Sequence, residues 1–147
     1  MKMDIKMKTN FDLSKIKLDL HKELNLCGNI IKQDHFSRLE RGMGVNGPMK
    51  NLAPSTIEAK GFDQILVNTG KMRNLVMERA NKSNQMVTIY PGKDQLRGKV
   101  TNQQIGAFHQ EGGGNLPKRE WFGITKKVEK KCNKIIENRI DKALSNA

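Results

Sequence analysis

The sequence IGAFHQEGGGNLPKREWFGIT, residues 105–125, contains the residue types from which catalytic and metal-binding centres are built. It holds His109, a run of three glycines at 112–114, and Trp121, which is the single tryptophan of the chain. The segment therefore predicts either a chemical site or a structural joint that uses reactive residue types. The rest of the sequence has to decide between these two interpretations.

His109 and Glu111 form an HxE pair, the arrangement that supplies a metal ligand and a general base in zinc deaminases. The other ligands of such a site are missing, because neither PCxxC nor HExxH occurs in the chain. His21 and His35 have no third ligand at a useful spacing, and no nucleophile lies in a recognisable elbow. We therefore expect no metal, no cofactor and no enzyme activity. A Cys–His or Ser–His pair assembled by the fold stays open, because sequence spacing does not reveal it.

The glycine run at 112–114 is a candidate phosphate-binding loop. Such a loop precedes a helix and carries GKS or GKT, whereas this run follows a predicted short helix over about 102–110 and carries neither. Glycines after a helix supply left-handed caps and turns. We therefore expect a structural turn at this position.

The stretch KREWFGI follows Pro117, which favours an extended chain. Lys118 and Arg119 are expected to face solvent or a partner, and Phe122 is expected to lie in the core. Two interpretations of Trp121 stay open. It is either a core residue or an anchor at a protein interface.

The chain of 147 residues has the usual size of one compact domain. Hydrophobic residues make up 36% of it and aromatic residues only 5%, so the core must consist mainly of Ile, Leu, Val and Met. A limited core suits a protein that completes its burial against partners. We expect a single domain over 1–147, in which residues 1–11 form a flexible or strand-forming arm.

The formal net charge of +12 favours contact with polyanions. The positive excess is spread along the chain, and Tyr90 and Trp121 stand alone instead of forming a row of exposed aromatics. Direct reading of a DNA sequence is therefore disfavoured. A small basic nucleic-acid-binding module is the alternative to a protein that acts through assembly.

No stretch of the chain is apolar over the length of a membrane span, and the opening MKMDIKMKTN lacks the apolar centre of a signal peptide. We expect a soluble, cytosolic protein with no membrane contact. Cys27 and Cys132 belong to no CxxC motif, and each falls on an apolar helical stripe. They are expected to be buried free thiols.

Apolar residues recur every three or four positions in FDLSKIKLDLHKELNLCGNIIKQDHFSRLERG. The residues of this stripe are Leu13, Ile16, Leu20, Leu24, Cys27 and Ile31. The period predicts a long amphipathic N-terminal helix over about 12–41. Gly28 is its weakest point, and Phe36 falls off the stripe.

The middle of the chain is punctuated by Gly and Pro. Two short helix starts are predicted there, with Ser55 and Thr69 as N-caps and Gly61 as the end of the first helix. Beyond them, VMERANKSNQMVTIYPG predicts a hairpin of two short strands joined at NKSN.

The closing segment predicts a basic amphipathic helix whose apolar line is Ile124, Val128, Cys132 and Ile135. A core-packing helix with a solvated lysine face is favoured over a calmodulin target or a membrane-surface helix. Together the elements predict an α+β fold. It consists of a long N-terminal helix, a small antiparallel sheet with short helices, and a C-terminal amphipathic helix.

Three segments carry a resemblance through their order and spacing: LAPSTIEAKG, then ILVNTGKMRN, then IGAFHQEGGGNLPKREWFGIT with a helix after it. They resemble the phage virion morphogenesis family, the tail completion proteins of Mu-like contractile-tailed phages and prophages. The resemblance covers about residues 40–145, and Trp121 is added to it as an interface candidate. The positions that match the family's hallmarks are His109, Gln110, Gly112, Pro117, Arg119, Phe122 and Gly123.

The resemblance implies a structural protein without catalysis that completes the tail and enables head–tail joining. It implies a location at the virion neck, reached from the host cytoplasm during assembly. The implied partners are other phage neck and tail proteins. We further expect a homo-oligomeric ring in the virion and nonspecific contact with packaged DNA.

Overall fold

The computed structural model describes residues 3–8, 18–60, 71–92, 95–97, 100–112 and 116–145. The fold mixes helices with small antiparallel sheets, in agreement with the predicted α+β class. In chain order its elements are β1 (Ile5–Lys8), α1 (His21–Glu40), β2 (Met43–Gly44), β3 (Gly47–Pro48), α2 (Pro54–Lys60), a 3₁₀ turn (Lys71–Arg73), β4 (Leu75–Glu78), β5 (Met86–Pro91), β6 (Gln95–Arg97), β7 (Val100–Thr101), α3 (Asn102–Glu111) and α4 (Lys126–Ser145).

The first helix is shorter than predicted, because α1 begins at His21 and the preceding residues 18–20 are not helical. Tertiary and side-chain bonds replace the helical ones there. The backbone N–H of Leu20 donates to Gln85 Oε1 at 2.8 Å, and the N–H of His21 donates to the Asp19 carboxylate at 3.1 Å. A side chain that captures a nearby backbone donor competes with helix formation. The remaining predicted positions, 12–17, lie outside the described residues.

The apolar stripe of α1 packs against the sheet as its period predicts, and Leu24, Cys27 and Ile31 are buried. Gly28 makes this packing close. A Cβ atom on Gly28 would lie 2.6 Å from Met77 Sδ, so the position predicted to be the weakest in the helix is where the sheet approaches it. Phe36 lies off the stripe and is 41% exposed.

The predicted hairpin is confirmed, because β4 and β5 pair antiparallel around the turn at 79–85. Asn81 organises that turn, since its Oδ1 accepts from the backbone N–H groups of Ser83 and Asn84. The first strand, β1, pairs with the other edge of β5 and completes a sheet of order β1-β5-β4. Of the two interpretations of the N-terminal arm, the structure shows the strand for residues 5–8.

The short helices follow local capping rules. α3 starts at a capping box in which Thr101 and Gln104 each accept a backbone N–H from the other. α2 begins at Pro54, so the prediction of Ser55 as its N-cap is wrong by two positions; proline favours the first helical position because it has no N–H to satisfy. Thr69 and Gly61 lie outside the described residues.

The last helix, α4, packs into the core as predicted, and its neighbour there is α1. Val128 and Cys132 are buried, and Ile124 and Ile135 are partly buried against the same hydrophobic cluster. Cys27 and Cys132 are free and buried, as predicted, and the helix contact brings them together, with Cys27 Sγ lying 3.8 Å from the Cys132 carbonyl oxygen. The Cys132 thiol and burial raise the pKa of Cys27 far above its usual range. No helix within the described ranges is long and apolar enough to cross a membrane.

Candidate functional site

The 105–125 segment joins the end of α3 to α1 through a buried aromatic cluster. The ring centroids of His35 and Trp121 lie 5.4 Å apart, those of Trp121 and Phe122 lie 5.5 Å apart, and those of His35 and Phe122 lie 6.4 Å apart. His35 belongs to α1, so residues far apart in the chain meet at this point. Two of its three rings, Trp121 and Phe122, belong to the segment for which the sequence predicted a candidate site.

Trp121 is fully buried, with 0% of its surface exposed. Its Nε1 donates to the Gly106 carbonyl oxygen at 2.8 Å, which satisfies the single polar group of the indole. A Cβ atom at Gly106 would lie 2.3 Å from the indole ring, so only glycine permits this approach. The interface interpretation of Trp121 is therefore wrong for this side chain, because the ring has no surface left for a partner.

Phe122 is buried, as predicted, and Gln110 holds its backbone in place. The Phe122 N–H donates to Gln110 Oε1, and Gln110 Nε2 donates to the Phe122 carbonyl oxygen, each at 3.1 Å. A single side-chain amide thus satisfies both backbone polar groups of one residue, Phe122. Gln110, one of the positions that match the family's hallmarks, therefore connects the last turn of α3 to the backbone at Phe122.

Arg119 was expected to face solvent or a partner, but only 5% of its surface is exposed. Its guanidinium donates to the carbonyl oxygens of Lys50 at 2.9 Å and Asn51 at 3.2 Å. Its backbone N–H donates to the His109 carbonyl oxygen at 2.7 Å. Burial lowers the pKa of Arg119 from its usual value. The prediction is wrong because loop carbonyls at 50–51 needed a donor, and the sequence does not show that these segments meet.

Lys118 is exposed, as predicted, and its ammonium lies 3.1 Å from the Glu120 carboxylate. Glu120 also accepts a hydrogen bond from Asn46 Nδ2, and its backbone oxygen accepts from the Val45 N–H at 2.8 Å. These contacts lower the pKa of Glu120, with the Lys118 hydrogen bond as the largest cause. The β2–β3 hairpin is thereby attached to the 105–125 segment.

The glycine and proline hallmarks shape the backbone. Gly112 caps α3 in the left-handed conformation with φ of 71°, and a Cβ there would lie 2.9 Å from the Lys118 nitrogen. Gly123 has φ of 152°, and its carbonyl oxygen accepts from the Arg38 guanidinium at 3.4 Å. Pro117 is half-buried between these turns. The other two glycines of the run lie outside the described residues.

His109 and Glu111, the HxE pair, occupy the last turn of α3. His109 is half-buried and Glu111 is exposed, so the two side chains differ in environment. Within the described ranges, no group of three or more His, Cys, Asp or Glu side chains is placed to hold a metal ion. The last turn of α3 contacts the segment after it, because the His109 carbonyl oxygen accepts from the Arg119 N–H.

Two residues of α1 complete the joint, and the sequence reading missed their role. The buried Arg38 guanidinium donates to the Trp121 carbonyl oxygen at 3.1 Å and to the Asp34 carboxylate at 2.8 Å. Arg38 follows Asp34 by four residues, a spacing in the sequence that predicts an ion pair on one face of a helix. Such pairs usually lie on a solvated face, so the pattern alone did not indicate burial.

His35 is the second missed residue. It is buried, and because a carbonyl oxygen only accepts, Nε2 carries the proton that is donated to the Met72 oxygen at 2.9 Å. Burial, together with the nearby Arg38 charge, lowers the pKa of His35 to about 4. The imidazole is therefore neutral at pH 7 and serves as a packed hydrogen-bond donor.

The outer face of the β1-β5-β4 sheet carries a small polar cavity of about 180 Å³. The Tyr90 hydroxyl donates to the Glu78 carboxylate at 3.1 Å there, and Lys6 lies 3.6 Å from Asp4. Burial and Glu78 raise the pKa of Tyr90. Ligand pockets commonly enclose about 300–1,000 Å³, so this cavity is smaller than the usual small-molecule site.

Comparison of the chain with protein-family models, with curated proteins and with solved structures finds no match. The geometry therefore has to carry the functional argument. In that geometry the side chains of Gln110, Arg119 and Trp121 bind backbone groups within the chain.

Proposed function

We propose that the protein is a structural phage assembly subunit that completes the tail and enables head–tail joining. It acts at the virion neck as part of a ring of identical copies and reaches that place from the host cytoplasm. Its partners are other neck and tail proteins. The order and spacing of the three sequence segments support this proposal, together with the structural role of the last of them.

The observation that carries the proposal is how the hallmark side chains are used. The Gln110 amide, the Arg119 guanidinium and the Trp121 indole each bind a backbone carbonyl of the same chain. A catalytic or ligand-binding segment instead directs such groups into a cleft. A segment that uses them internally holds loops in one shape, which is what a subunit recognised by its surface requires.

The same segment exposes two large apolar side chains that a partner can cover. Phe108 is 52% exposed on α3, and Leu116 is 40% exposed after the Gly112 turn. Aromatic side chains are enriched in protein interfaces, where a partner covers the apolar surface that the single chain leaves exposed. We therefore assign to Phe108 and Leu116 the interface role that the sequence reading had considered for Trp121.

Electron microscopy of an induced lysate tests the function directly. In a lysate from which the gene has been deleted, we expect filled heads beside separate, full-length tails. Complementation with the intact gene should restore joined particles, and the complemented lysate is the control. Joined particles in the deletion lysate would overturn the proposal.

A further inference from the structure

The first half of α4 presents a continuous basic face. Its lysines fall within roughly 140° of the helix circumference at 3.6 residues per turn. All of them are exposed, and they are Lys126, Lys127, Lys130, Lys131 and Lys134. The opposite side of the helix, with Val128 and Cys132, is buried. This set of five lysines is called the lysine face below.

The lysine face is not neutralised by carboxylates of the part of the chain that the structure describes. Among the described residues, none of its lysines lies in an ion pair. The second half of α4 differs, because Arg139 lies 3.6 Å from Glu23 of α1 and the acidic Glu137 and Asp141 interrupt the positive charge. The unpaired charge is therefore concentrated in about two helical turns.

We propose that the lysine face binds the phosphate backbone of duplex nucleic acid. Lysines four residues apart are separated by about 6 Å along a helix axis, so the face offers several cations over about 12 Å. Duplex DNA carries one negative charge per about 1.7 Å of its axis. A closely spaced row of lysines matches this dense charge better than it matches the scattered carboxylates on a protein surface. This inference does not depend on the neck assignment.

The composition of the face favours nucleic acid over the two other classes of polyanion. A membrane-surface helix buries its apolar side in lipid, whereas the apolar side of α4 already packs against α1. A protein interface is usually depleted of lysine and centred on aromatic or Arg anchors. The face has no aromatic side chain for stacking on unpaired bases, so it favours a duplex contacted without base preference.

A pair of charge-matched variants tests the proposal. The first replaces Lys127, Lys130 and Lys131 by Gln within the lysine face. The control replaces Lys22, Lys82 and Lys142 by Gln, which are exposed lysines outside it. Both lose the same net charge, and circular dichroism and thermal melting confirm that each is folded.

Fluorescence anisotropy with a labelled duplex of mixed sequence, over about 50–200 mM salt, measures the affinity and its salt slope. Each phosphate contact contributes about 0.9 to the slope of log K against log salt, so the lysine-face variant should lose about 2–3 from the slope. The control should keep nearly the full slope. Equal losses in the two variants, or no measurable binding by the unmodified protein at the lowest salt, would overturn the proposal.

Two competitors separate the alternatives. Poly-glutamate and phosphatidylserine vesicles, supplied at the same concentration of negative charge, should displace the duplex only weakly. If either competitor displaces the labelled duplex as effectively as unlabelled duplex does, the face recognises another polyanion. That result would overturn the assignment to nucleic acid.

Discussion

At the scale of single residues, the joint between α1 and the 105–125 segment depends on buried polar side chains that bind backbone carbonyls. His35, Arg38 and Trp121 each donate to such a carbonyl. A buried polar group costs free energy unless it is hydrogen-bonded. The Arg38 bond to the Trp121 carbonyl joins α1 to the segment directly, whereas the His35 bond to Met72 and the Trp121 bond to Gly106 hold the two packed rings in place. Removing one partner should cost more than its bond contributes, because the other partner is left unsatisfied.

His35 should make the protein sensitive to acid. Its folded pKa of about 4 lies below the usual 6.5, so the unfolded chain binds the proton more readily between these values. Stability is therefore fully present above pH 6.5 and is lost as the pH falls toward 4, by about 3 kcal/mol in the free energy of unfolding. Protonation would also bury a second N–H, because Nδ1 has no hydrogen-bond partner within the described residues.

Urea unfolding at a series of pH values measures this effect, with His35→Gln as the control. Glutamine keeps a donor for the Met72 oxygen and does not titrate. The Asp19 carboxylate, whose pKa is also held low, titrates in both proteins. The difference between the two curves should fall steeply between pH 6.5 and 4. Parallel curves would show that His35 is not the titrating group.

Replacing Arg38 by Met should destabilise the fold strongly. The change keeps most of the side-chain volume but leaves the Trp121 and Gly123 carbonyl oxygens and the Asp34 carboxylate without their donor. Asp34 is half-buried, but each buried acceptor that is left unsatisfied costs about 1–3 kcal/mol, so the free energy of unfolding should fall by at least about 2 kcal/mol. Arg41→Met, at the residue that directly follows this helix, is the control, because Arg41 is exposed and its replacement should cost no more than about 0.5 kcal/mol. Similar midpoints in urea for the two variants would contradict the assignment.

At the scale of elements, two glycines set how closely helices approach their neighbours. Gly28 lets α1 lie against Met77 of β4, and Gly106 lets α3 lie against the Trp121 indole. Helix propensity alone counts both glycines as weak points. The packing shows the opposite, because a methyl group at either position would meet an atom closer than van der Waals contact allows.

Gly106→Ala should therefore destabilise the protein although alanine favours helix. Propensity predicts a gain of about 1 kcal/mol, whereas overpacking against a rigid ring costs about 1–3 kcal/mol. The added Cβ would lie 2.3 Å from the indole, so the loss should win. Thermal melting measures whether the variant is less or more stable than the unmodified protein. Trp121 fluorescence should report the displacement of the ring. A raised melting temperature would show that the indole moves at no cost.

At the scale of the whole molecule, the core and the surface have separate roles. One hydrophobic cluster joins β1, α1, the sheet, α3 and α4, and it includes Trp121 and Phe122. The surface carries the exposed Phe108 and Leu116 and, on another helix, the lysine face. This division suits the proposed assembly role, because such a subunit folds before its surface binds a partner.

Phe108→Ser should separate these roles. The side chain is 52% exposed, so its loss should leave the melting curve cooperative and nearly unchanged. Incorporation into particles, measured by complementation of the deletion strain and immunoblotting of purified virions, should fall at least about tenfold, which corresponds to about 1.4 kcal/mol of lost contact. Phe122→Ser is the contrasting variant and should lose its cooperative melt. Normal incorporation of the Phe108 variant would remove this surface from the interface.

The sequence by itself determined the features that depend on near neighbours. The β4–β5 hairpin, a short helix over about 102–110 and the apolar line of α4 were all predicted, because turn chemistry and helical period act within a few residues. The predicted start of α1 was wrong because a distant residue contributes to it. The Leu20 N–H donates to the side chain of Gln85, which is 65 residues away in the sequence.

Only the tertiary structure decided the role of the candidate site. Arg38 meets the Trp121 carbonyl across 83 positions of the chain, and Arg119 meets Lys50 across 69. No periodicity or motif reports such distances, so a buried arginine and an exposed one look alike in the sequence. The physical reason is that burial belongs to the packed arrangement of several segments, whereas a sequence pattern describes one segment at a time.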